Sequence, residues 1–241
     1  MSGFKAGLFE HEIVSRREEY DRLVSARKAC RLCTGLVNPS QLLGGALDCE
    51  DIGAWSRWQG SLLAETVVVG QDFADEGTFQ AALGRHSLTS HTNKKLKEYL
   101  NFLGYALDHG DRGRPNRLFF TNAVLCLKPR EKGMQGNVDQ DHAAHCGLRF
   151  LRPLLGILKP ALVIALGQHA LTAVCKAHGL SHHRLNTATN LCEGIKLPDG
   201  SRLFAVYHPN MRTANQHRSQ ALQKADWARI KKYLKSKGRN S

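Results

Sequence analysis

Three polar residues stand where apolar runs end: Asp72 after Thr66-Val67-Val68-Val69-Gly70-Gln71, Asn122 after Leu118-Phe119-Phe120-Thr121, and His208 after Phe204-Ala205-Val206-Tyr207. Such runs read as buried strands that deliver their polar tips to a surface crevice. Together they would bring a carboxylate, an amide and an imidazole to one pocket. A buried amide costs free energy unless it is paired, so Asn122 either caps local backbone or faces a ligand. The second constellation is sulfur. Cys30-Arg31-Leu32-Cys33 places two thiols close enough to share a metal, and Cys126 and Cys146 could complete a four-cysteine site. Thiolates suit zinc or an iron–sulfur cluster, and spacing does not separate the two. Taken singly, each residue has a plainer role: Asp72 as a helix N-cap, His208 as a turn residue before Pro209, Asn122 as a satisfied core amide, any one cysteine as packing.

The elements that must position these groups follow from periodicity. Residues 65–73, 117–125, 161–168 and 202–209 share one grammar, an apolar run closed by glycine or polar residues. If all four lie in one parallel sheet their carboxyl ends converge, which is where an open α/β sheet binds its ligand. Helical spacing covers 8–28, with Ile13, Tyr20, Leu23 and Val24 on one face, and also 94–103, 148–158 despite Pro153, and 168–178. The last of these opens at Gly167 and Gln168, where free backbone N–H groups can take a phosphate. A basic helix over 214–238 turns Leu222, Trp227, Ile230 and Leu234 inward. Residues 35–60 read as an extended connection anchored by Trp55 and Trp58, 74–93 as a loop over the pocket, and 186–200 as a turn or hairpin around Pro198-Asp199-Gly200.

Composition bounds the function class. The 241 residues carry 42% hydrophobic side chains, enough for an ordinary core, and a formal charge of +13, which calls for a polyanionic partner. Nucleic acid fits better than a membrane, because no helix is strongly basic on one face and apolar on the other. No apolar run reaches membrane-spanning length and the amino terminus lacks a signal peptide's apolar core, so a cytoplasmic place is expected. Seven cysteines in such a chain argue for metal or packing rather than disulfides, with Cys49, Cys175 and Cys192 as spares.

In this order, the motifs resemble those of the uracil-DNA glycosylase superfamily, above all its iron–sulfur branch. Gly70-Gln71-Asp72 is similar to the water-activating motif of the superfamily's uracil enzymes. Thr121-Asn122-Ala123-Val124-Leu125-Cys126 is similar to the branch's Asn-Ala-x-x-Cys strand end. Cys30, Cys33, Cys126 and Cys146 fall where the branch holds a four-iron cluster, and His208-Pro209-Asn210 is similar to the His-Pro-Ser motif that opens a DNA-inserted loop. The resemblance implies one domain over 1–241, with an amino-terminal helix over 1–29. Its fold would be a three-layer α/β/α sandwich around a central, mainly parallel four-stranded sheet, holding a 4Fe-4S cluster with zinc as the lesser choice. It also implies a monomeric, monofunctional DNA glycosylase that flips a pyrimidine-type base and leaves an abasic site.

In that chemistry an oxocarbenium-like sugar and an anionic base develop together. Asp72 would stabilise the sugar and position water, His208 would donate to the pyrimidine O2, and Asn122, with Gln71 and Phe73, would bind the base. Met211 or Arg212, beside Asn210, would fill the gap in the duplex. No lysine is expected beside the strand ends, hence no strand cleavage. Two departures widen the pocket: Gly84-Arg85-His86-Ser87 has serine where the branch has a stacking phenylalanine, and Phe73-Ala74 replaces a Pro-Tyr that bars a 5-methyl group. Phe73, Phe79 or His86 could stand in for the missing wall. Uracil, or a bulky modified pyrimidine such as the hydroxymethylated or glucosylated cytosine of phage DNA, is the expected substrate, the latter making the protein a defence enzyme. A catalytically idle iron–sulfur DNA-binding module is the alternative.

Overall fold

The computed structural model describes residues 2–53, 60–85, 90–105, 117–131, 134–135, 138–210 and 217–238, without the side chains of 2–11, 130, 131, 134 and 135. Four apolar runs form the parallel centre of the sheet: β1 (Thr66–Gly70), β2 (Leu118–Asn122), β5 (Leu162–Leu166) and β7 (Arg202–Val206). A short hairpin, β3 (Arg130–Glu131) with β4 (Met134–Gln135), lies outside it. The sheet order is β2-β1-β5-β7-β6. It has five strands rather than the expected four, because β6 (Ile195–Lys196) adds an antiparallel edge to β7 through the turn at Leu197 to Ser201. The hairpin expected around Pro198-Asp199-Gly200 is this turn, but two residues, neither fully buried, leave too short a pattern for β6 to count as a strand in sequence.

Alternate residues of each strand face two helical layers. Val67, Val69, Phe119, Val163 and Ala165 pack in one core with Tyr20 and Val24 of α1 (Ser2–Ala29), Leu154 of α5 (Arg152–Leu158), and Leu171 and Val174 of α6 (Gln168–Ala177). Val68, Phe120, Ile164, Phe204 and Val206 pack on the other side with Leu96, Tyr99 and Leu100 of α3 (His91–Leu103) and Trp227 and Ile230 of α8 (Gln220–Gly238). Tyr99 and Trp227 stack at 5.0 Å between ring centres, locking α3 to α8. The result is the expected α/β/α sandwich. No helix among the described residues is long and apolar enough to cross a membrane.

Several connections carry more structure than their composition shows. A 3₁₀ turn, Pro39–Gly45, occupies part of the supposed extended connection, capped by Asn38. The pocket loop contains α2 (Glu76–Ala81), started by Asp75, whose carboxylate accepts from the Thr78 N–H at 2.9 Å. The helix expected from 148 begins earlier, as α4 (Gln140–Cys146), and runs through a π turn at Gly147–Leu151 into α5, with Pro153 tolerated in the first turn. Gly147 permits a close approach there: a Cβ on it would lie 2.7 Å from the Ala173 carbonyl oxygen of α6. α7 (Leu185–Thr189) follows α6. Trp55 and Trp58 lie outside the described residues.

Candidate active site

β1 and β2 end in register, with Gly70 opposite Asn122, and their pairing continues beyond the sheet. The Ala123 N–H donates to the Gly70 carbonyl at 2.8 Å, Val124 to Gln71 at 2.9 Å, Lys128 to Ala74 at 3.0 Å, and Glu76 to Lys128 at 3.0 Å. The two loops therefore leave the sheet joined, with Asp75 bridged to Lys128. This sets side chains 72 and 128 together. Lys128 Nζ lies 3.1 Å from Asp72 Oδ1, with the two side chains 10% and 6% exposed. Gln71 Nε2 donates to the other carboxylate oxygen at 2.8 Å. Each oxygen of Asp72 is held by a different donor, which fixes the plane of the carboxylate. The helix N-cap in this loop is Asp75, so Asp72 does not serve as one.

Asn122, at the end of β2, is 3% exposed, and its Oδ1 has no hydrogen-bond partner among the described residues. An orphaned buried acceptor is rare and costs about 1–3 kcal/mol, so it marks a place where an absent donor belongs. The amide is not a satisfied core group.

His208 comes from β7, two strands from β1, with β5 between them. At the end of β5 stands Gly167, whose φ of 91° favours glycine and whose N–H donates to the Val206 carbonyl at 2.8 Å. It places no side chain between the strand ends, and a Cβ there would touch the Cβ of His208 at 3.8 Å. Burial pushes the partly buried imidazole below its usual range; Asp72 opposes that shift and Lys128 adds to it. Both charges thus act on the ring from across the sheet. Its Nδ1 lies 3.3 Å from Asn210 Nδ2. An amide nitrogen only donates, so Nδ1 accepts and the ring proton of the neutral form sits on Nε2.

The other expected site residues divide. Gln71 uses its Nε2 to hold Asp72. Phe73 is half-buried and meets Phe79 edge-on at 5.1 Å, while Phe79, 1% exposed, belongs to a small core with Leu127. Phe79 therefore cannot supply the stacking wall. Gln168 anchors the chain before α7, donating to the His183 carbonyl at 2.9 Å and accepting from the Leu185 N–H at 2.8 Å. Its side chain is not free for a phosphate. His86, Ser87, Met211 and Arg212 lie outside the described residues. The expectation of no lysine beside the strand ends is corrected by Lys128. Its only sequence signal was its place two residues after Cys126, at the exit of the second strand.

The sulfur group is gathered by the same zipper. Val37 and Leu127 exchange backbone hydrogen bonds at 2.9 and 2.7 Å, pinning the loop after Cys33 beside Cys126. A hydrogen bond from Cys146 holds the Cys33 thiol down at about 6, with His142 and His145 assisting. Burial pushes Cys126 up to about 12, and the charges of Cys33 and Cys30 add to that; Cys146 is raised by Cys33 and by burial. The four cysteines thus act on one another, and cysteine sulfur is the donor that iron–sulfur and zinc sites use. Among the described residues, no three His, Cys, Asp or Glu side chains stand at metal-holding spacing. The opposite, amino-terminal ends of the parallel strands open on a cavity of about 760 Å³ beside the Glu65–Arg117 ion pair.

Two comparisons bear on this arrangement. The chain is similar to a type-5 uracil-DNA glycosylase of Pyrobaculum aerophilum, 27% identical over 208 residues that cover 83% of this chain and 86% of the relative. Residues 58–233, from ahead of β1 into α8, match the family described as the uracil DNA glycosylase superfamily. That match spans the sheet and every strand end that carries Asp72, Asn122 and His208, so the chain belongs to the uracil DNA glycosylase superfamily and is a DNA glycosylase, a hydrolase of N-glycosyl bonds.

Proposed function

We propose that the protein flips a pyrimidine-type base out of DNA and hydrolyses its N-glycosidic bond at the pocket between Asp72, Asn122 and His208, leaving an abasic site. The observation that carries this reading is the orphaned Oδ1 of Asn122, a buried acceptor at the end of β2, in register with the strand that leads to the held carboxylate. Uracil N3–H and the exocyclic amine of a cytosine both present the donor it lacks. As the bond breaks, positive charge grows on the sugar and negative charge on the base. Asp72, its plane fixed by Gln71 and Lys128, faces the sugar and orders the attacking water. His208, neutral because burial lowers its pKa, donates from Nε2 to the pyrimidine O2. Asn210 holds that tautomer, a duty in addition to any contact with DNA beside Met211 and Arg212. The backbone N–H of Gln168, at the start of α6, is the donor left for a phosphate, since that of Gly167 is taken by the Val206 carbonyl.

Cys30, Cys33, Cys126 and Cys146 fit a 4Fe-4S cluster in donor type and mutual influence, more closely than zinc on the resemblance of their motifs. When bound, the group would supply cross-linking of the segment after α1 to the exit of β2 and the end of α4 rather than chemistry at the base. The protein acts on DNA as a monomer in this reading.

The pocket favours a substrate larger than uracil. Phe79 is buried in its own core and Phe73 is pinned against it, so neither closes over the base as a wall. A hydroxymethylated or glucosylated cytosine of phage DNA fits that opening and makes the role antiviral defence. The test offers uracil-containing oligonucleotides and genomic DNA from phages with plain, hydroxymethylated and glucosylated cytosine, scoring released bases and alkali-labile sites, with Asp72→Asn as control. Release from modified DNA alone establishes the wide pocket as the specificity device. Release of uracil alone places the protein in repair, and release from none removes the catalytic assignment of Asp72 and leaves a DNA-binding module.

A further inference from the structure

Lys128 has no place in the hydrolysis beyond fixing Asp72, yet it is the better nucleophile of the two. Its side chain is nine-tenths buried, and its Nζ lies 3.1 Å from Asp72 Oδ1, on the carboxylate assigned to the sugar. A surface lysine is extended into water. This one is folded inward by backbone pairing on both sides, its N–H to Ala74 and its carbonyl to Glu76. An amine beside a carboxylate that can take and return its protons is the equipment of imine chemistry at an aldehyde.

We propose that the protein also cleaves DNA at the abasic site it makes, with Lys128 as the amine nucleophile and Asp72 as the proton acceptor. The inference rests on the reading that Asp72 faces the sugar. A proton passes from the Lys128 ammonium to Asp72, and the freed amine adds to C1′ of the ring-opened abasic aldehyde. The carbinolamine takes that proton back from Asp72 and loses water, leaving an iminium and an ionised carboxylate. Asp72 then removes a proton from C2′. The electron pair forms the C2′–C3′ double bond, and the C3′–O bond breaks to release the downstream strand with its 5′-phosphate. Water hydrolyses the iminium, giving an unsaturated aldehyde on the upstream strand and returning Lys128 as the ammonium, while the C2′ proton held by Asp72 passes to the departed phosphate and leaves the carboxylate ionised again. No oxidant or reductant is consumed.

The experiment uses the full chain and a duplex oligonucleotide carrying a preformed abasic site, so it does not depend on which base the protein excises. Borohydride reduces the iminium to a stable secondary amine. A covalent protein–DNA adduct on a denaturing gel, with peptide mapping to Lys128, and a nicked strand without alkali are the expected results. Lys128→Gln and Lys128→Met should each lower adduct and nicking by at least about 100-fold. Because the chain has 34 lysines and arginines, the mapping on the unaltered protein is decisive even where a variant folds poorly. An adduct that maps to another amine, or none at all, overturns the proposal. Base release with an uncut, alkali-labile strand overturns it too while sparing the hydrolysis, whereas an adduct at Lys128 without release from any DNA keeps the lyase and removes the base-excision reading.

Discussion

Two buried ion pairs hold this chain together at different depths, and their difference separates a clamp from a working site. Arg27 of α1 is 1% exposed, and its Nη1 donates to both oxygens of Asp48 at 2.7 Å while Nη2 donates to the carbonyls of Cys49 at 2.9 Å and Asp51 at 2.8 Å. Four hydrogen bonds hold the planar guanidinium, while its buried Nε has no partner among the described residues. Lys128 and Asp72 share a single contact, with Gln71 on the far oxygen and the orphaned Asn122 nearby. A side chain tied by four hydrogen bonds resists change. A pair with capacity left over, at the carboxyl edge of a parallel sheet, has room for a third participant.

The sharpest separation comes from Asp72→Asn, which keeps the shape and removes the charge. Turnover should fall by about 10²- to 10⁴-fold while DNA affinity and melting temperature hold, as measured by single-turnover base release and calorimetry. A large loss of stability instead would make Asp72 a clamp like Asp48. The converse variant, Arg27→Met, leaves Asp48 uncompensated and should cost about 3–5 kcal/mol in urea unfolding. Lys128→Met leaves Asp72 with Gln71 and the open pocket, so about 1–3 kcal/mol is expected; an equal or larger loss would erase the distinction between the pairs.

Cys126→Ser tests whether the sulfur group belongs with the clamp. It buries a hydroxyl in place of a thiol, at about 1–3 kcal/mol, so soluble yield and melting temperature should fall before the activity of the folded fraction does. A brown preparation absorbing near ~400 nm that bleaches in this variant would confirm iron–sulfur at that position. The smallest effect is that of pH. His208 is lowered in the folded state, so the unfolded chain binds its proton first. The stability it contributes is complete above its unfolded value of about 6.5 and falls away as pH drops through the lower folded value, by less than about 1.4 kcal/mol per pH unit. His208→Gln should flatten the melting profile below about pH 6.5; an unchanged slope would put the pH sensitivity elsewhere.

What the sequence determined by itself is what depends on local pattern. The four long strands are legible because buried parallel strands are continuous apolar runs, and Asp72, Asn122 and His208 are legible because a polar residue closing such a run stands out. The four cysteines are legible as candidates because their residue type limits the chemistry. Tertiary structure alone decided the rest. The supporting contacts of the Gln71 and Gln168 side chains, on Asp72 and ahead of α7, come from loop geometry that no spacing encodes. The edge strand β6 exists because β7 offers it a ladder. Lys128 was passed over because nothing in Cys126-Leu127-Lys128 distinguishes it from a solvated lysine. It reaches Asp72 because Gly70 pairs with Asn122 and the hydrogen bonds run on past the strands, a register set between neighbours 52 positions apart by the packing of the whole sheet.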